Sequence, residues 1–117
     1  MPALNFQARF APLVVSGKKR QTIRAYRKDG RDPKPGDMLY LYTGQRTRRC
    51  SFLGSYICAE RHVICFDREE LQIDNRECGS SEAQCIAEAD GFRDWHTFVD
   101  WFDRVHGLPF EGLLIRW

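Results

Sequence analysis

The sequence predicts an α+β fold in which a mostly antiparallel or mixed sheet curls into a small barrel. Apolar segments with strand-like patterns predict five or six strands, and segments with helical spacing predict two or three helices. Glycine- and proline-rich turns separate these elements. At 117 residues the chain has the length of one domain, which we assign to residues 1–117.

The first half of the chain is predicted to contain three strands and one short helix. Residues 3–10 alternate apolar and polar side chains, which is the period of a half-buried strand. Residues 11–16 carry a proline near their start and are followed by a glycine, as in a short helix. The remaining segments are a strand over 18–24, a loop over 27–37 and a buried strand over 38–42.

The second half is predicted to hold further strands and two helices. The strands cover residues 50–59, 61–73 and 112–117. A serine cap at position 80 or 81 begins a short helix that runs through Ala87. A longer helix is predicted from the N-cap Asp94 to His106. Its apolar face is formed by Trp95, Phe98, Val99, Phe102 and Val105.

The composition indicates a folded protein of the cytoplasm. Hydrophobic residues make up 43% of the chain and aromatic residues 13%, which argues against disorder. The apolar runs are too short for a transmembrane helix or a signal-peptide core, so we expect no membrane partner. Five cysteines without a Cys-x-x-Cys pair predict free thiols, and we expect neither a metal site nor a cofactor.

Charge is distributed unevenly along the chain. Residues 1–61 contain 13 Lys and Arg against 4 Asp and Glu, whereas residues 62–117 contain 5 against 12. The net charge is therefore only +2, although the halves carry +9 and −7. Such a chain either presents a basic face to a polyanion or neutralises its two halves within the fold.

One basic segment has a recognisable pattern. The residues Ser16-Gly17-Lys18-Lys19-Arg20-Gln21-Thr22-Ile23-Arg24 resemble the Gly-x-Lys-x-x-(Glu/Thr)-x-Arg motif of the ASCH domain. Three further features occur in the order expected of that family, and together they span nearly the whole chain. They are Pro35-Gly36-Asp37 before a strand, Asp90-Gly91-Phe92 before the last long helix, and a terminal strand ending in Trp117. The segment from Leu41 to Cys50 also resembles small ASCH-like proteins of bacteria and phages.

The resemblance implies a PUA-like β-barrel that binds RNA or a modified nucleobase in a cleft. One bacterial group of this family hydrolyses N4-acetylcytidine to cytidine and acetate with a lysine, a threonine and a glutamate. Lys19 and Thr22 match the first two of these residues. The position of the family's glutamate falls at or beside Asp90, whose side chain is one methylene shorter than that of glutamate. Glu88 is the nearby glutamate in this sequence.

An amidohydrolase site of this kind needs a nucleophile, a base and a proton donor. Thr22 is the candidate nucleophile and Lys19 the base, provided that burial or nearby cations lower its pKa. Asp90 or Glu88 is the candidate donor to the leaving amine. Residues 19 and 22 would point to opposite faces of a regular strand, so a bulge or the start of the strand must lie between them.

The alternative to catalysis is binding alone. Basic residues in the motif and in two loops would follow a phosphate backbone, and Tyr26 is the candidate to stack on a base. The predicted ligand-binding residues are Lys18, Arg20, Arg24, Tyr26, Arg27, Arg46 and Arg48. Tyr40 and Tyr42 are interpreted as sheet-packing residues. The partner is predicted to be RNA or a modified nucleoside, and DNA stays open.

A third hypothesis is a protein-interaction module. The acidic segment from Asp67 to Asp103 would then contact a partner protein. The dependence of nucleic-acid binding on ionic strength separates this hypothesis from the other two, because phosphate contacts weaken as salt increases.

Overall fold

A computed structural model describes residues 3–117 and confirms the α+β class. The strands are β1 (Ala3–Phe6), β2 (Gln21–Arg24), β3 (Met38–Thr43), β4 (Ser51–Ile57), β5 (Glu60–Phe66), β6 (Leu71–Ile73), β7 (Arg76–Glu77) and β8 (Phe110–Arg116). The α-helices are α1 (Ala11–Val15), α2 (Ser80–Ala89) and α3 (Trp95–Val105), and a 3-10 turn at Ala8–Phe10 precedes α1. No helix within residues 3–117 is long and apolar enough to cross a membrane.

The strands form two sheets rather than one closed barrel within the described residues. The smaller sheet has the order β1-β3-β4, with β1 parallel to β3 and β3 antiparallel to β4. The larger sheet has the order β2-β8-β5-β6-β7 and is antiparallel throughout. Both sheets contribute to one core, since Trp117 contacts Phe6 of the smaller sheet with ring centroids 6.0 Å apart.

Residues 3–117 contain eight strands instead of five or six, because one predicted strand is broken in two and a further short strand follows it. Residues 61–73 were expected to be continuous, but the chain turns after Phe66. The Asp67 carboxylate accepts hydrogen bonds from the backbone N–H groups of Glu69 and Glu70, which stabilises the turn. The following loop also contains the two-residue strand β7.

The two longer helices differ in how well their ends were predicted. Asp94 caps α3 as expected, since its Oδ1 accepts a hydrogen bond from the Thr97 N–H at 2.8 Å. Helix α2 begins after Gly79, which provides no side-chain cap, so the predicted serine cap is wrong. Val105 lies on the exposed side of the last turn of α3, whereas the sequence placed it on the buried face.

The segment between α1 and β2 positions the motif. Gly17 has a φ of +82°, a conformation that favours glycine, and it reverses the chain after α1. The Lys19 N–H then donates to the Leu13 carbonyl at 3.0 Å, and β2 begins only at Gln21. Lys19 therefore lies before the regular strand, so the alternation of side-chain directions along β2 does not set the direction of its side chain.

Candidate functional site

A buried ion pair joins the motif to the end of α2. Lys19 Nζ lies 3.0 Å from Asp90 Oδ1 and also donates to the Asp90 carbonyl oxygen. The two residues are only 3% and 5% exposed. Asp90 reaches this position because it is the residue that ends α2, where the chain turns through Gly91.

Burial favours the uncharged form of both members of the pair. It lowers the pKa of Lys19 and raises the pKa of Asp90, since both charges lose their hydration. The attraction between the two charges opposes these shifts, while the nearby cations Arg24 and Arg9 lower the pKa of Lys19 further. The ion pair and the neutral pair differ only in the position of one proton, and burial favours the neutral form.

Thr22 and Arg24 stand beside this pair on one face of β2. Arg24 Nε donates to Thr22 Oγ1 at 2.9 Å, and an Arg24 guanidinium N–H donates to the Asn5 carbonyl at 2.6 Å. Burial lowers the pKa of Arg24 to about 10. Because the Thr22 oxygen accepts a hydrogen bond from a cation, its own proton is directed to another acceptor.

These four residues line one cavity of about 180 Å³. The rest of its wall is mostly aromatic, and the other lining residues are Asn5, Phe6, Gln7, Phe10, Ile23, Phe92, Trp101 and Phe102. Lys19 Nζ lies 4.9 Å from the centre of the Phe10 ring, and the Arg24 guanidinium carbon lies 5.0 Å from that of Phe6. The site therefore combines cations, one carboxyl group and one hydroxyl with flat apolar walls.

The two carboxyl candidates from the sequence are placed differently. Asp90 lines the cavity, whereas Glu88 is exposed on α2 and accepts a hydrogen bond from Gln84 at 2.8 Å. Lys19 and Thr22 line the same cavity although they are three residues apart, because Lys19 precedes the strand. Of the two carboxyl candidates, Asp90 is the one that the fold brings to Lys19 and Thr22.

The predicted ligand-binding residues other than Arg24 lie outside the cavity lining. Lys18 and Arg20 are exposed and line a separate shallow depression, because the chain turns Lys19 inward between them. Tyr26 is exposed, with its hydroxyl 3.5 Å from Glu111 Oε1, and Arg27 donates to the Ala3 carbonyl. These four residues do not surround the cavity as a cleft would require.

Arg46 and Arg48 lie in the exposed loop between β3 and β4. The neighbouring Gln45 N–H donates to Asn5 Oδ1 at 2.9 Å, and Asn5 is a lining residue of the cavity. This loop is therefore attached to the rim of the site.

Several site residues were missed by the sequence analysis. Gln21 Nε2 donates to the Ile86 carbonyl at 3.2 Å and lies 3.4 Å from Asp90 Oδ1, so it holds the carboxyl group in place. Arg9 lies over the rings of Phe10 and Phe92 and adds positive charge near Lys19. Trp101, which no sequence motif marks, also lines the cavity. A burial pattern identifies apolar residues but not which of them face a cavity.

A larger and more open depression, of about 650 Å³, lies between the five-stranded sheet and α2. His62 occupies it, with Nδ1 2.7 Å from Asp74 Oδ2 and Nε2 2.9 Å from Glu60 Oε1. Within residues 3–117 no group of three His, Cys, Asp or Glu side chains is arranged to hold a metal ion. We place the functional site in the smaller cavity because it alone contains a buried lysine and carboxyl group.

The His62 contacts predict a pH dependence of stability. Both ring nitrogens face carboxylates, so the imidazolium satisfies both contacts, and these hydrogen bonds raise the pKa of His62. A raised pKa in the folded state stabilises the protein below the unfolded value of about 6.5 and loses that effect as pH rises through the folded pKa. The Tm difference between wild type and His62→Gln should therefore be larger at about pH 5.5 than at about pH 8.5.

The comparison with His62→Gln isolates this residue, because the lowered pKa values of Lys19 and His106 make stability increase with pH. An equal Tm difference between wild type and His62→Gln at the two pH values would contradict the assignment. Glu60 and Asp74 act in the opposite sense, because their lowered pKa values contribute stability that is lost only as the solution becomes more acidic.

Some carboxylates of the acidic half form ion pairs with arginines of the same half. Arg68 pairs with Asp100 at 2.6 Å and with Asp103 at 2.8 Å, and Arg76 pairs with Glu82 at 3.2 Å. Such internal pairing reduces the charge that this surface can offer to a partner protein.

The chain was compared with protein-family models, with curated proteins and with solved structures, and no match was found in any of the three.

Proposed function

We propose that this chain is an ASCH-like domain that recognises a modified nucleoside, free or within RNA, in the cavity around Lys19 and Asp90. We further propose that the two sheets, packed on one core, correspond to a PUA-like barrel. The observation that carries the functional proposal is the buried Lys19–Asp90 pair beside Thr22 and Arg24 in an aromatic cavity.

The size and chemistry of the cavity suit one base. Drug-sized ligands occupy pockets of ~300–1,000 Å³, and this cavity of about 180 Å³ fits a smaller group. The rings of Phe10 and Phe92 provide flat apolar contacts for a heterocycle. A lysine ammonium has three N–H donors, and two of those on Lys19 are directed to Asp90, so one is free for a ligand oxygen.

A second candidate function, hydrolysis of N4-acetylcytidine, is favoured by one specific contact. The Arg24 hydrogen bond to Thr22 Oγ1 leaves the threonine proton available to a base, and the positive charge stabilises the oxygen as that proton leaves. The lowered pKa of Lys19 suits it to the role of that base. The raised pKa of Asp90 suits it to the role of proton donor.

The reaction begins when the Lys19 proton moves to Asp90, which leaves both groups neutral. Lys19 Nζ takes the proton of Thr22 as the threonine oxygen bonds to the acetyl carbonyl carbon. Asp90 gives its proton to the leaving N4 amine as the C–N bond breaks, which releases cytidine and leaves an acetyl ester on Thr22. Water hydrolyses this ester to acetate, with one proton released to solvent. Lys19 then carries a proton and Asp90 is ionised, as at the start.

The test compares adjacent lysines. Wild type, Lys19→Met and Lys18→Met are titrated with N4-acetylcytidine, with the fluorescence of Trp101 in the cavity wall as the binding signal, and cytidine release is followed by chromatography. Lys19→Met should weaken binding about tenfold or more, because a charge-assisted hydrogen bond is lost. Lys18→Met should behave as wild type, since Lys18 is exposed.

Thr22→Val separates the two functions. Hydrolysis predicts that this variant binds N4-acetylcytidine but releases no cytidine. Recognition alone predicts no turnover by wild type and losses of affinity of similar size in Thr22→Val and Lys19→Met. Circular dichroism confirms that each variant is folded. A folded Lys19→Met protein with wild-type affinity would overturn the proposed function.

A further inference from the structure

The outer face of the three-stranded sheet exposes aromatic side chains. Alternate residues of β3 and β4 point away from the core, and they include Tyr40, Tyr42 and Phe52, which we call the aromatic face. Phe52 is 56% exposed, and its ring centroid lies 5.4 Å from that of Tyr42. An exposed pair of aromatic rings on a sheet is a usual feature of surfaces that stack bases.

An arginine loop, residues 44–50, lies at the same end of this sheet. It joins the strand ends at which Tyr42 pairs with Phe52 and Thr43 with Ser51. Its shape is fixed by hydrogen bonds from the Thr47 N–H and hydroxyl to the Gly44 carbonyl. The loop therefore holds its arginines, Arg46, Arg48 and Arg49, next to the aromatic pair.

The charges of this region are not neutralised by the fold. Within residues 3–117 none of the three loop arginines forms an ion pair, whereas arginines of the second half, such as Arg68 and Arg76, pair with carboxylates. The strands β1, β3 and β4 contain no Asp or Glu. A face with stacking rings, free arginines and no carboxylates is complementary to a polyanion that carries bases.

The aromatic face continues to the cavity. Asn5 pairs with Tyr42 in the parallel ladder between β1 and β3, accepts the Gln45 N–H at its side-chain oxygen, and lines the cavity. The same residue accepts a hydrogen bond from Arg24 at its backbone carbonyl. A strand whose base enters the cavity would thus meet Tyr42 and Phe52 next.

We propose that the aromatic face and the arginine loop bind the single-stranded segment of RNA that flanks the base held in the cavity. The inference rests on the proposed function for the choice of RNA, because stacking and phosphate contacts alone do not read the sugar. It makes a base within a single-stranded polymer the full ligand of the protein, whereas a free nucleoside fills only the cavity.

The experiment uses a fluorescently labelled oligouridylate of ~10 nucleotides, without a modified base, in an anisotropy titration at low salt. Phe52→Ala should weaken binding about 5- to 100-fold. The matched control is Ile57→Ala, since Ile57 is 60% exposed on the same strand but cannot stack, and its affinity should stay near that of wild type. Phe52→Tyr should bind with an affinity near that of wild type, because a tyrosine ring can also stack on a base.

The arginine loop is tested through salt dependence. Arg48→Ala should weaken binding and reduce the slope of log affinity against log salt by about 0.7, the value for one phosphate contact on a single strand. Equal losses in Phe52→Ala and Ile57→Ala would overturn the inference and indicate an apolar docking face. A shift in self-association caused by Phe52→Ala, without any effect on RNA, would overturn it in favour of a dimer.

The two proposals fail in distinguishable ways. If Lys19→Met abolishes N4-acetylcytidine binding but Phe52→Ala leaves oligouridylate binding unchanged, the proposed role of the aromatic face is wrong and the proposed function of the cavity is supported. If oligouridylate binding depends on Phe52 but wild type binds no nucleoside, the proposed function of the cavity is wrong and the proposed role of the aromatic face is supported.

Discussion

Asp90→Ala is expected to lower the free energy of unfolding by about 3–5 kcal/mol at neutral pH. The substitution leaves Lys19 buried without its charge partner, and Gln21 loses one of its two acceptors. Because the attraction of Asp90 raises the pKa of Lys19, its removal lowers that pKa further. Chemical denaturation of wild type and variant measures the loss.

The pH dependence of this loss identifies its cause. A lysine with a folded pKa below its unfolded value of about 10.4 makes stability increase as pH rises, since the unfolded chain binds more protons. Asp90→Ala should therefore recover part of its stability between about pH 7 and about pH 9. Lys19→Met combined with Asp90→Ala should be more stable than Asp90→Ala alone, because no charge is left buried. A loss that is independent of pH and of the second substitution would contradict the buried-charge explanation.

Phe66→Ala is expected to lower the free energy of unfolding by about 3–5 kcal/mol, since it removes a ring from the centre of the core. Phe66 is 2% exposed. Four aromatic rings surround it with centroid distances of 5.1–5.6 Å, and they belong to Trp95, Phe98, Phe102 and Phe110. The substitution thus leaves a cavity between β5, α3 and β8. Equilibrium denaturation measures the effect.

Phe52→Ala is the matched control for Phe66→Ala, because both residues lie on antiparallel strands and only their burial differs. The exposed ring of Phe52 contributes little to the core, so we expect a change within about 0.5 kcal/mol. A similar loss in both variants would mean that the outer face of the smaller sheet is covered by something that protects Phe52. The same measurement verifies that Phe52→Ala, the variant used in the RNA-binding experiment, is folded.

The local features of the fold were predictable from the sequence. The Asp94 cap depends only on a side chain and a backbone N–H three residues later, so a short window of sequence contains the whole signal. The glycine that ends α1 was also predicted, but the strand expected over 18–24 begins only at Gln21, so Lys19 lies before it. The continuous strand over 61–73 was wrong because the Asp67 turn interrupts an otherwise favourable pattern.

The composition of the site was less predictable, since it depends on contacts between distant segments. Lys18 and Lys19 are adjacent and chemically identical, yet only Lys19 is buried, because the backbone bond to Leu13 turns it inward. Gln21 occupies an unspecified position of the motif, so the motif does not mark it. Its role comes from the position of α2. Trp101 is half-buried in α3, where helical spacing does not distinguish a packing residue from a cavity wall.

The separation of Lys19 and Asp90 along the chain has a consequence for folding. Their contact spans 71 residues, and the cavity also needs the β1 segment and α3 in place. Contacts of such long range form late, because closing a large loop costs entropy before the contact stabilises it. The cavity is therefore complete only in molecules in which all of these segments are packed together. A ligand that binds there selects fully folded molecules, and at ~100 times its Kd it adds about 2.7 kcal/mol to their stability.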